Sequence, residues 1–291
     1  MVKTSEECLD FLGERRSRVL GIGLGLPGYL DAAAGVALSC PHLPDWVNVP
    51  IVELMEDRFG YYCCIGNNVS VMGLVFKWLP EYHEEDDFLL ISIRSGVRCI
   101  PVLNQQPYSG RFSTTGEIGH LKVSSGPRLC DCGRPGCLNT EVSDISIRSI
   151  LEEGIHAGHY AAVKRLAGDA RPSSGILVQA AIEGDAESDA LVRHTGVCIG
   201  KAVAAAANLF APQKIILSGQ LVKAGPIFFN PLNRTVEEHC LPAVLENMKI
   251  SPSPFGDNIG ALGAAVLPLE RKFNPISTPN TLQGFRSANP L

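Results

Sequence analysis

The sequence lacks the features that would place a protein in a membrane, outside the cell or on nucleic acid. It has no apolar run long enough to span a bilayer, and its first residues, Met1 to Glu7, are polar and acidic where a signal peptide would be basic and then apolar. It also has no run of lysines and arginines, and its net charge is −5. We therefore expect a cytoplasmic protein that does not associate with membranes and does not bind DNA as a single chain.

The cysteine pattern does not indicate a disulfide framework. Ten cysteines are spread over 291 residues, with three gathered in one loop, which is typical of a reducing compartment. The remaining cysteines are predicted to be buried small apolar residues: Cys8, Cys40, Cys63, Cys64, Cys99, Cys198 and Cys240. The hydrophobic content of 45% is enough to build a real core in one large or two ordinary domains.

One loop concentrates ligands for a metal ion. His120, Cys130, Cys132 and Cys137 fall close together in the chain, and Gly133 allows a tight fold between them. Zinc takes such nitrogen and sulfur ligands tetrahedrally, and four protein ligands leave no position for a water molecule, so the pattern predicts one structural Zn²⁺. The alternative interpretation is three reduced core cysteines beside an unrelated histidine.

These motifs resemble the signature of the ROK family, named for repressors, open reading frames and kinases. The similarity runs from about Val19 to about Leu269, and its main blocks are Gly23 to Gly28, Asn67-Asn68, Glu117 to His120, Cys130 to Leu138, and Asn208 to Leu217. Two of these blocks favour the branch of the glucose and N-acetylglucosamine repressors (NagC/Mlc-like) over the kinases. The resemblance implies an α/β fold with two lobes, actin-like and ribonuclease H-like, in which a zinc loop braces a sugar pocket between the lobes.

The resemblance also implies a domain organisation. We expect a first lobe over residues 1–87, a second lobe with the zinc loop and sugar pocket over 88–256, and a helix over 257–291 that returns to the first lobe before a flexible tail. The helix-turn-helix of the family's repressors and the first phosphate motif of its kinases are not found, so the first lobe is expected to be N-terminally truncated. The strand over Val19 to Leu24 should then have an unpaired edge, which a partner could complete.

Hydrophobic periodicity and end signals predict the following elements. Helices are expected over Ser5 to Glu14 with Ser5 as N-cap, Val49 to Phe59, Ser143 to Gly154, Ala186 to Leu209 with Leu209 on the packed side, and Ile259 to Leu269. Strands are expected over Val19 to Leu24, Tyr61 to Ile65, Phe88 to Ile93, Cys99 to Leu103 and Lys214 to Leu217. The acidic run Glu81 to Asp87 is interpreted as a linker, and little order is expected after Phe273.

Carried over from the family, the sugar-binding residues are Gly28, Asn67, Asn68, Glu117 and His120. In the kinases the position of Asn68 holds an Asp that accepts the proton of the attacking hydroxyl, and the position of Asn139 holds a second sugar-binding Glu. An amide cannot take that proton, so no catalytic residue is assigned. Asn68 could instead be a loop amide that caps the preceding strand.

The phosphate-binding turn of the kinases is also poorly represented. The turn Arg94 to Arg98 keeps a single glycine, and its two arginines are interpreted as solvent-facing surface charges that could in principle clamp an anion. The Gly21-x-Gly23-x-Gly25 pattern is a weak dinucleotide signal because no helix opens on it. His156 and His159 lack companion ligands and are expected to be exposed.

These observations favour the sugar-sensing effector domain of a NagC-like transcriptional regulator, which binds a sugar or sugar phosphate without phosphorylating it. Its expected partners are that effector, a second copy of the chain in a homodimer, and DNA only through a helix-turn-helix not present in this chain. The alternative is a ROK sugar kinase, of glucokinase or N-acetylhexosamine kinase type, with an impaired active site. A third class is an interaction protein that keeps the zinc and a dimer surface but binds no ligand.

Overall fold

The computed structural model describes residues 1–40, 43–78, 87–108, 110 and 115–273. The chain divides into two compact units: a first unit of Met1–His83 with Gly260–Leu291, and a second unit of Glu84–Ile259. The predicted acidic linker, apart from Asp87, and the tail after Phe273 lie outside the described residues. Within the described part of the chain, no helix is both long enough and apolar enough to cross a membrane.

The described helices and strands are grouped along the chain, with five consecutive helices between the eighth and ninth strands. The helices described are α1 Val2–Leu12, α2 Ile51–Phe59, α3 Ser70–Trp78, α4 Asn139–Val142, α5 Asp144–His156, α6 Ala161–Ala167, α7 Ser174–Ile182, α8 Ala186–Phe210, α9 Pro226–His239, α10 Pro242–Leu245 and α11 Ile259–Phe273. The strands described are β1 Ile22–Leu26, β2 Tyr29–Asp31, β3 Val36–Cys40, β4 Leu43–Val49, β5 Cys63–Asn67, β6 Phe88–Ile93, β7 Val97–Leu103, β8 Gln106–Pro107, β9 Lys214–Gly219 and β10 Lys249–Pro252.

The first unit contains two small sheets among its described residues. β1 and β5 pair in parallel, with Leu26 opposite Asn67, and β2, β3 and β4 form an antiparallel sheet. No other described strand pairs with β1, so among the described residues its second edge is unpaired, in agreement with the prediction from the sequence. This two-stranded sheet is small for an independently stable one.

Two helices, α3 and α11, pack on one face of the β1–β5 sheet. α11 lies so close to β1 that a Cβ added at Gly23 would fall 1.9 Å from the carbonyl oxygen of Ala264. α11 is joined to α3 by the buried carboxylate of Glu270, which accepts hydrogen bonds from Lys77 Nζ at 2.8 Å and from Trp78 Nε1 at 2.6 Å. These contacts hold α3, which follows Asn67 and Asn68 directly, against the sheet.

The second unit is built on a larger mixed sheet. Its strand order within the described residues is β10-β9-β6-β7-β8, with β6 parallel to β9 and antiparallel to β7. All six residues of β6 are buried. α8 and α9 pack so tightly that a Cβ at Gly196 would lie 2.5 Å from the carbonyl oxygen of Phe228. Paired on both sides and covered by helices, β6 lies at the centre of the main core.

Most predicted elements are confirmed, and several details are wrong. α1 begins at Val2 with Met1 rather than Ser5 at its N-cap position. Leu209, in the last turn of α8, is 80% exposed instead of packed, because the neighbouring Asn208 is the residue that faces the end of α9, where it donates to the His239 carbonyl oxygen. Cys8 is exposed, while the other six cysteines predicted to be core residues are buried, and none of the ten is in a disulfide. The sheet of β2, β3 and β4 was not predicted.

Candidate functional site

The four predicted metal ligands come together in the second unit. The ligand atoms of His120, Cys130, Cys132 and Cys137 all lie within 4.8 Å of one another. His120 Nδ1 is 3.5 Å from Cys130 Sγ, and the Sγ atoms of Cys132 and Cys137 are 3.6 Å apart. Two thiolates on a tetrahedral zinc lie about 3.8 Å apart, and a thiolate and an imidazole nitrogen about 3.6 Å. The cluster therefore has the donor set and the spacing that a tetrahedral metal ion requires.

Backbone turns place these ligands. Gly133 and Gly136 have φ values of 80° and 76°, a left-handed conformation that a glycine adopts at no steric cost. A Cβ at Gly136 would lie 2.1 Å from the carbonyl oxygen of Ser124. The backbone N–H groups of Val123 and Ser124 both donate to the Gly136 carbonyl oxygen. The loop is thereby folded back on the segment after His120, which brings the cysteines to the imidazole.

The thiols differ in how readily they ionise. Cys132 is exposed, and a hydrogen bond with the Arg134 side chain is the main factor that lowers its pKa to about 6. Burial raises the pKa of the Cys137 thiol to about 12. Since a metal binds the thiolate, Cys132 is the ligand best prepared for the first contact with an ion, whereas Cys137 would lose its proton only on coordination.

Glu117 and His120 are held beside β7. The backbone of Gly116 approaches Cys99 so closely that a Cβ would fall 1.5 Å from the Cys99 carbonyl oxygen, and Cys99 N donates to Gly116 O at 2.8 Å. Glu117 follows this contact, and a 3-10 turn over Ile118–His120 then carries His120 towards the cysteines through its Nδ1 atom. The Nε2 atom of His120 forms no hydrogen bond with any described residue, so it remains available for a ligand.

Arg98 contacts Glu117 directly. Its Nη2 donates to Glu117 Oε1 at 2.5 Å, and the Arg98 side chain is only 16% exposed. The interpretation of Arg98 as a solvent-facing surface charge is therefore wrong. The register of the β6–β7 pair, which sets Ser92 opposite Arg98, turns the guanidinium toward the Gly116–Glu117 segment.

Asn139, which replaces the family's second sugar-binding Glu, has a structural role here. Its Oδ1 accepts a hydrogen bond from Val97 N at 2.8 Å, at the turn between β6 and β7. The same atom would be 2.2 Å from a Cβ at Gly119, so this amide lies directly against the 3-10 turn. Asn139 thus connects the start of α4 with the segment that carries Glu117 and His120.

In the first unit, Gly28, Asn67 and Asn68 lie at one end of the β1–β5 sheet. Both parallel strands end there, and Asn68 N donates to Leu26 O at 2.9 Å. Ligands of open α/β sheets bind at such carboxyl ends. Gly28 has a φ of 87°, and a Cβ on it would fall 2.3 Å from the Ser39 carbonyl oxygen, so the turn itself requires a glycine.

The two neighbouring amides have different environments. Asn67 is 2% exposed, and its Oδ1 caps α3 by accepting from Val69 N at 3.1 Å and Ser70 N at 3.3 Å. Its Nδ2 is buried and has no hydrogen-bond partner among the described residues. The Asn68 side chain is half-buried and bonds to no described residue, so its amide does not cap the preceding strand, which was the alternative interpretation.

The turn that would bind phosphate in a kinase faces a partly exposed carboxylate of the same unit, that of Asp257. Asp257 accepts hydrogen bonds from Lys223 Nζ at 2.8 Å and from Gln220 Nε2 at 3.0 and 3.1 Å, and Arg94 Nη2 lies 3.7 Å from its Oδ1. The bond from Lys223 is the main factor that lowers the pKa of Asp257 below its ordinary value. Arg94 therefore already has an anionic neighbour. No local signal in the sequence indicates Asp257, because it is distant from Arg94 in the chain.

The weaker sequence patterns contribute little to the site. His156 and His159 are exposed as predicted, and they bond to the Glu152 carbonyl oxygen and the Glu187 carboxylate. The glycines at 21, 23 and 25 allow neighbouring segments to pack closely against β1. A Cβ at Gly21, for example, would fall 2.7 Å from the Tyr62 carbonyl oxygen. Neither pattern forms a cofactor site in the described residues.

Comparison with known proteins gives matches over most of the chain. The ROK family model matches residues 1–271. A glucokinase of Thermotoga maritima is 30% identical over 251 residues, covering 86% of this chain and 79% of the relative. The xylose repressor of Caldicellulosiruptor bescii and the DNA-binding transcriptional dual regulator NagC of Escherichia coli are each 26% identical. They match 86% and 94% of this chain, which spans 62% and 66% of their lengths.

Solved structures show the same architecture. A ROK family transcriptional regulator homologous to the E. coli MLC protein superposes with a TM-score of 0.78 at 26% identity, covering 92% of this chain and 67% of the other. A ROK family glucokinase from Streptomyces griseus, in complex with glucose and AMPPNP, gives 0.76 at 22% identity, covering 90% and 86%. The predicted α/β fold class, actin-like with two lobes, is confirmed.

Proposed function

Because the chain belongs to the ROK family, as its motifs predict, we propose that it is the sugar-sensing effector domain of a NagC-like transcriptional regulator. In this proposal it binds a sugar or sugar phosphate and does not phosphorylate it. The binding residues are Gly28, Asn67 and Asn68 in the first unit, and Glu117 and His120 in the second. No residue is assigned a catalytic role.

The observation that carries this proposal is the pair of adjacent amides. Asn67 Nδ2 is a buried donor with no partner among the described residues, and leaving such a group unsatisfied costs about 1–3 kcal/mol. A sugar hydroxyl oxygen would satisfy it. Asn68, next in the chain, offers a free amide that can hydrogen-bond a second hydroxyl. The pair is therefore suited to a polyhydroxyl ligand.

The same pair argues against phosphoryl transfer. Asn68 cannot accept the proton of an attacking hydroxyl at neutral pH, and general-base catalysis contributes about 10²–10⁴ in rate. In the second unit, Arg94 is paired with the carboxylate of Asp257, so it is less available to an incoming phosphate. Phosphoryl transfer depends on positioning and charge stabilisation of the phosphates, and both are weakened here.

A metal ion would stabilise the segment of the second unit that carries Glu117 and His120. His120, Cys130, Cys132 and Cys137 would bind one structural zinc ion, with no position left for a reacting water. Bound zinc would fix the 3-10 turn and hence the direction of Glu117. His120 would ligate through Nδ1 and keep Nε2 for the sugar. This assignment of the two ring nitrogens agrees with the observed contact of Nδ1 with Cys130 Sγ.

The proposal includes partners and a location. It assigns DNA recognition to a helix-turn-helix outside these 291 residues, and it includes a homodimer in the cytoplasm. The NagC relative supports the regulatory assignment because its match covers 94% of this chain. The two compact units are proposed to correspond to the two lobes of the family fold, with the domain limits given by the sequence.

A sugar kinase with an impaired active site is the second candidate. The 30% identity with the T. maritima glucokinase favours it. It differs from the first candidate in one measurable property, since it would convert sugar to sugar phosphate at the expense of ATP. An interaction protein without a ligand differs from both because it would bind no sugar.

Isothermal titration calorimetry tests the proposal. The full chain is titrated with glucose, N-acetylglucosamine, N-acetylmannosamine, xylose and the 6-phosphates of the hexoses. We expect at least one to bind, and Asn68→Ala to weaken that binding by roughly threefold to tenfold, because one hydrogen bond contributes about 0.5–1.5 kcal/mol net. The control is Asn230→Ala, an exposed amide on α9, which should bind as the wild type does. Absence of binding by the whole panel would favour the interaction protein.

A further inference from the structure

A second group of metal-ligating side chains lies in the second unit, apart from the cluster at His120. It consists of Glu141 on α4 and of His194 and Cys198 on α8. His194 and Cys198 are four residues apart, so they lie on the same face of the helix, one turn from each other. The three potential ligand atoms lie within 4.8 Å of one another.

The potential ligand atoms of these three side chains are directed at a common point. His194 Nε2 is 3.0 Å from Glu141 Oε2, and the same Nε2 atom is 3.5 Å from Cys198 Sγ. A nucleophile, base and acid relay would instead use the two different ring nitrogens of the histidine. Here one nitrogen faces both neighbours, as it does when a cation lies between three ligands.

Hydrogen bonds to this one nitrogen cannot serve both of its neighbours at full strength. If Nε2 carries a proton, it can donate to the Glu141 carboxylate, and the sulfur of Cys198 then offers only a weak acceptor. If Nε2 is unprotonated, the thiol can donate to it weakly, but the Glu141 carboxylate then faces a lone pair. Cys198 is 2% exposed and the Glu141 side chain 15%, so water offers little compensation on that side.

We propose that Glu141, His194 and Cys198 form a second metal site, which binds a divalent ion of the zinc class through one oxygen, one nitrogen and one sulfur atom. Tetrahedral zinc with oxygen and nitrogen ligands places them about 3.3 Å apart, and nitrogen and sulfur about 3.6 Å, close to the observed spacing. On binding, the thiol proton passes to solvent. The carboxylate and the thiolate then neutralise the two charges of the ion.

The chemistry of this site differs from that of the first cluster. Three protein ligands leave one tetrahedral position, and the His194 side chain is 51% exposed, so that position faces water. Such an open site can take a water molecule or a donor atom of a small ligand. Its oxygen ligand lies four residues after Cys137, the last ligand of the first cluster, so a folded first cluster helps to place Glu141.

A cobalt titration tests the proposal on the full chain. Protein that carries one equivalent of zinc, which fills the four-ligand cluster first, is titrated with cobalt chloride. Native mass spectrometry counts zinc and cobalt per chain, and absorption detects the thiolate-to-cobalt charge-transfer band. We expect one zinc and one cobalt ion per chain in the wild type. Cys198→Ser should abolish the band, and Glu141→Gln and His194→Gln should each weaken cobalt binding at least tenfold.

The matched control is Cys240→Ser, because Cys240 is also a buried cysteine of the second unit and lies in neither cluster. It should bind cobalt as the wild type does. A wild-type chain that takes no ion beyond the first would overturn the proposal. Unchanged cobalt binding by both Glu141→Gln and His194→Gln would also overturn it. These two substitutions roughly preserve side-chain size, so they test the site even if Cys198→Ser fails to fold.

Discussion

In the two units, the residues proposed to bind the sugar are carried by sheets of very different size. In the first unit Asn67 and Asn68 follow a sheet in which β1 and β5 are the paired strands among the described residues. In the second unit Glu117 and His120 lie between β7, a strand of a larger sheet, and the loop of three cysteines. β6 is buried at all six positions, whereas β1 buries only Leu26.

This difference indicates where the candidate site is stiff. A strand paired on both sides opens only with the core, whereas a strand with a free edge can open locally. We infer that the residues of the second unit are preorganised and that those of the first unit gain order when a ligand binds. The orphan amide hydrogen donor of Asn67 fits this inference, because a ligand would complete its hydrogen bonding.

The largest expected effect comes from removing one ligand of the first metal cluster. Cys132→Ser should destabilise the chain by about 3 kcal/mol or more, since metal binding contributes directly to folding, and lower its melting temperature by roughly 6–12 °C. Sugar affinity should fall with it, because the loop that orients Glu117 loosens. Thermal melting and calorimetry measure the two effects.

Cys8→Ser is the matched control for this experiment. Cys8 and Cys132 are the two exposed cysteines, one in each unit. The Cys8 substitution should change stability by less than about 0.5 kcal/mol, as surface changes usually do. Equal melting temperatures for the two variants, or purified protein without zinc, would contradict the claim that a bound metal stabilises the second unit.

Hydrogen exchange compares the two sheets directly. The hydrogen-bonded amides of β1 should exchange at least about a hundredfold faster than those of β6, because their local opening costs about 3 kcal/mol less. The measurement is exchange resolved by residue, at a protein concentration at which the proposed homodimer is shown to have dissociated. Protection of Ile22–Leu26 as strong as that of Phe88–Ile93 would mean that the free edge of β1 is covered, and the two units would then be equally stiff.

A smaller effect is expected from the surface ion pairs of the second unit. The pKa of Asp257 is lowered in the folded state, chiefly by Lys223, so its contribution to stability is present above the unfolded pKa of about 3.9 and is lost as pH falls through the folded value. Since this carboxylate is 43% exposed, Asp257→Asn should lower the free energy of unfolding by no more than about 1 kcal/mol at pH 7.

Denaturant unfolding of this variant at two pH values checks the sign. The difference between Asp257→Asn and the wild type should be present at pH 7 and vanish well below the folded pKa, where both side chains are neutral. Asp189→Asn, which removes a simple ion pair with Arg193 within α8, is the control for a generic surface charge. A loss of several kcal/mol would show that ion pairs, rather than core and metal, stabilise this unit.

Local signals made much of the fold predictable. α5 begins where Ser143 accepts a hydrogen bond from Ser146 N, and α8 begins after Asp185, another side-chain cap. The metal ligands were predictable because their spacing in the chain is short. In each case the information lies within a few residues of the feature that it specifies.

The remaining features depend on contacts between distant residues. The Arg98–Glu117 pair requires the register of β6 and β7, and the Arg94–Asp257 contact joins residues far apart in the chain. The antiparallel sheet after Gly28 contains short strands with register irregularities, which weaken any alternation in the sequence. Leu209 has the helical spacing of a core residue, but it is 80% exposed, since the neighbouring Asn208 rather than Leu209 faces the end of α9.

The most direct test of the central claim is the chemical state of a bound sugar. The full chain is dialysed to equilibrium with MgATP and glucose, N-acetylglucosamine or xylose, and the sugar on the protein side is analysed by mass spectrometry. We predict that at least one sugar is retained and that all are recovered without phosphate. The same result is expected from Asn68→Asp, because the phosphate-binding turn is not restored. Formation of a sugar phosphate by the wild type, or retention of none of the sugars, would contradict the account.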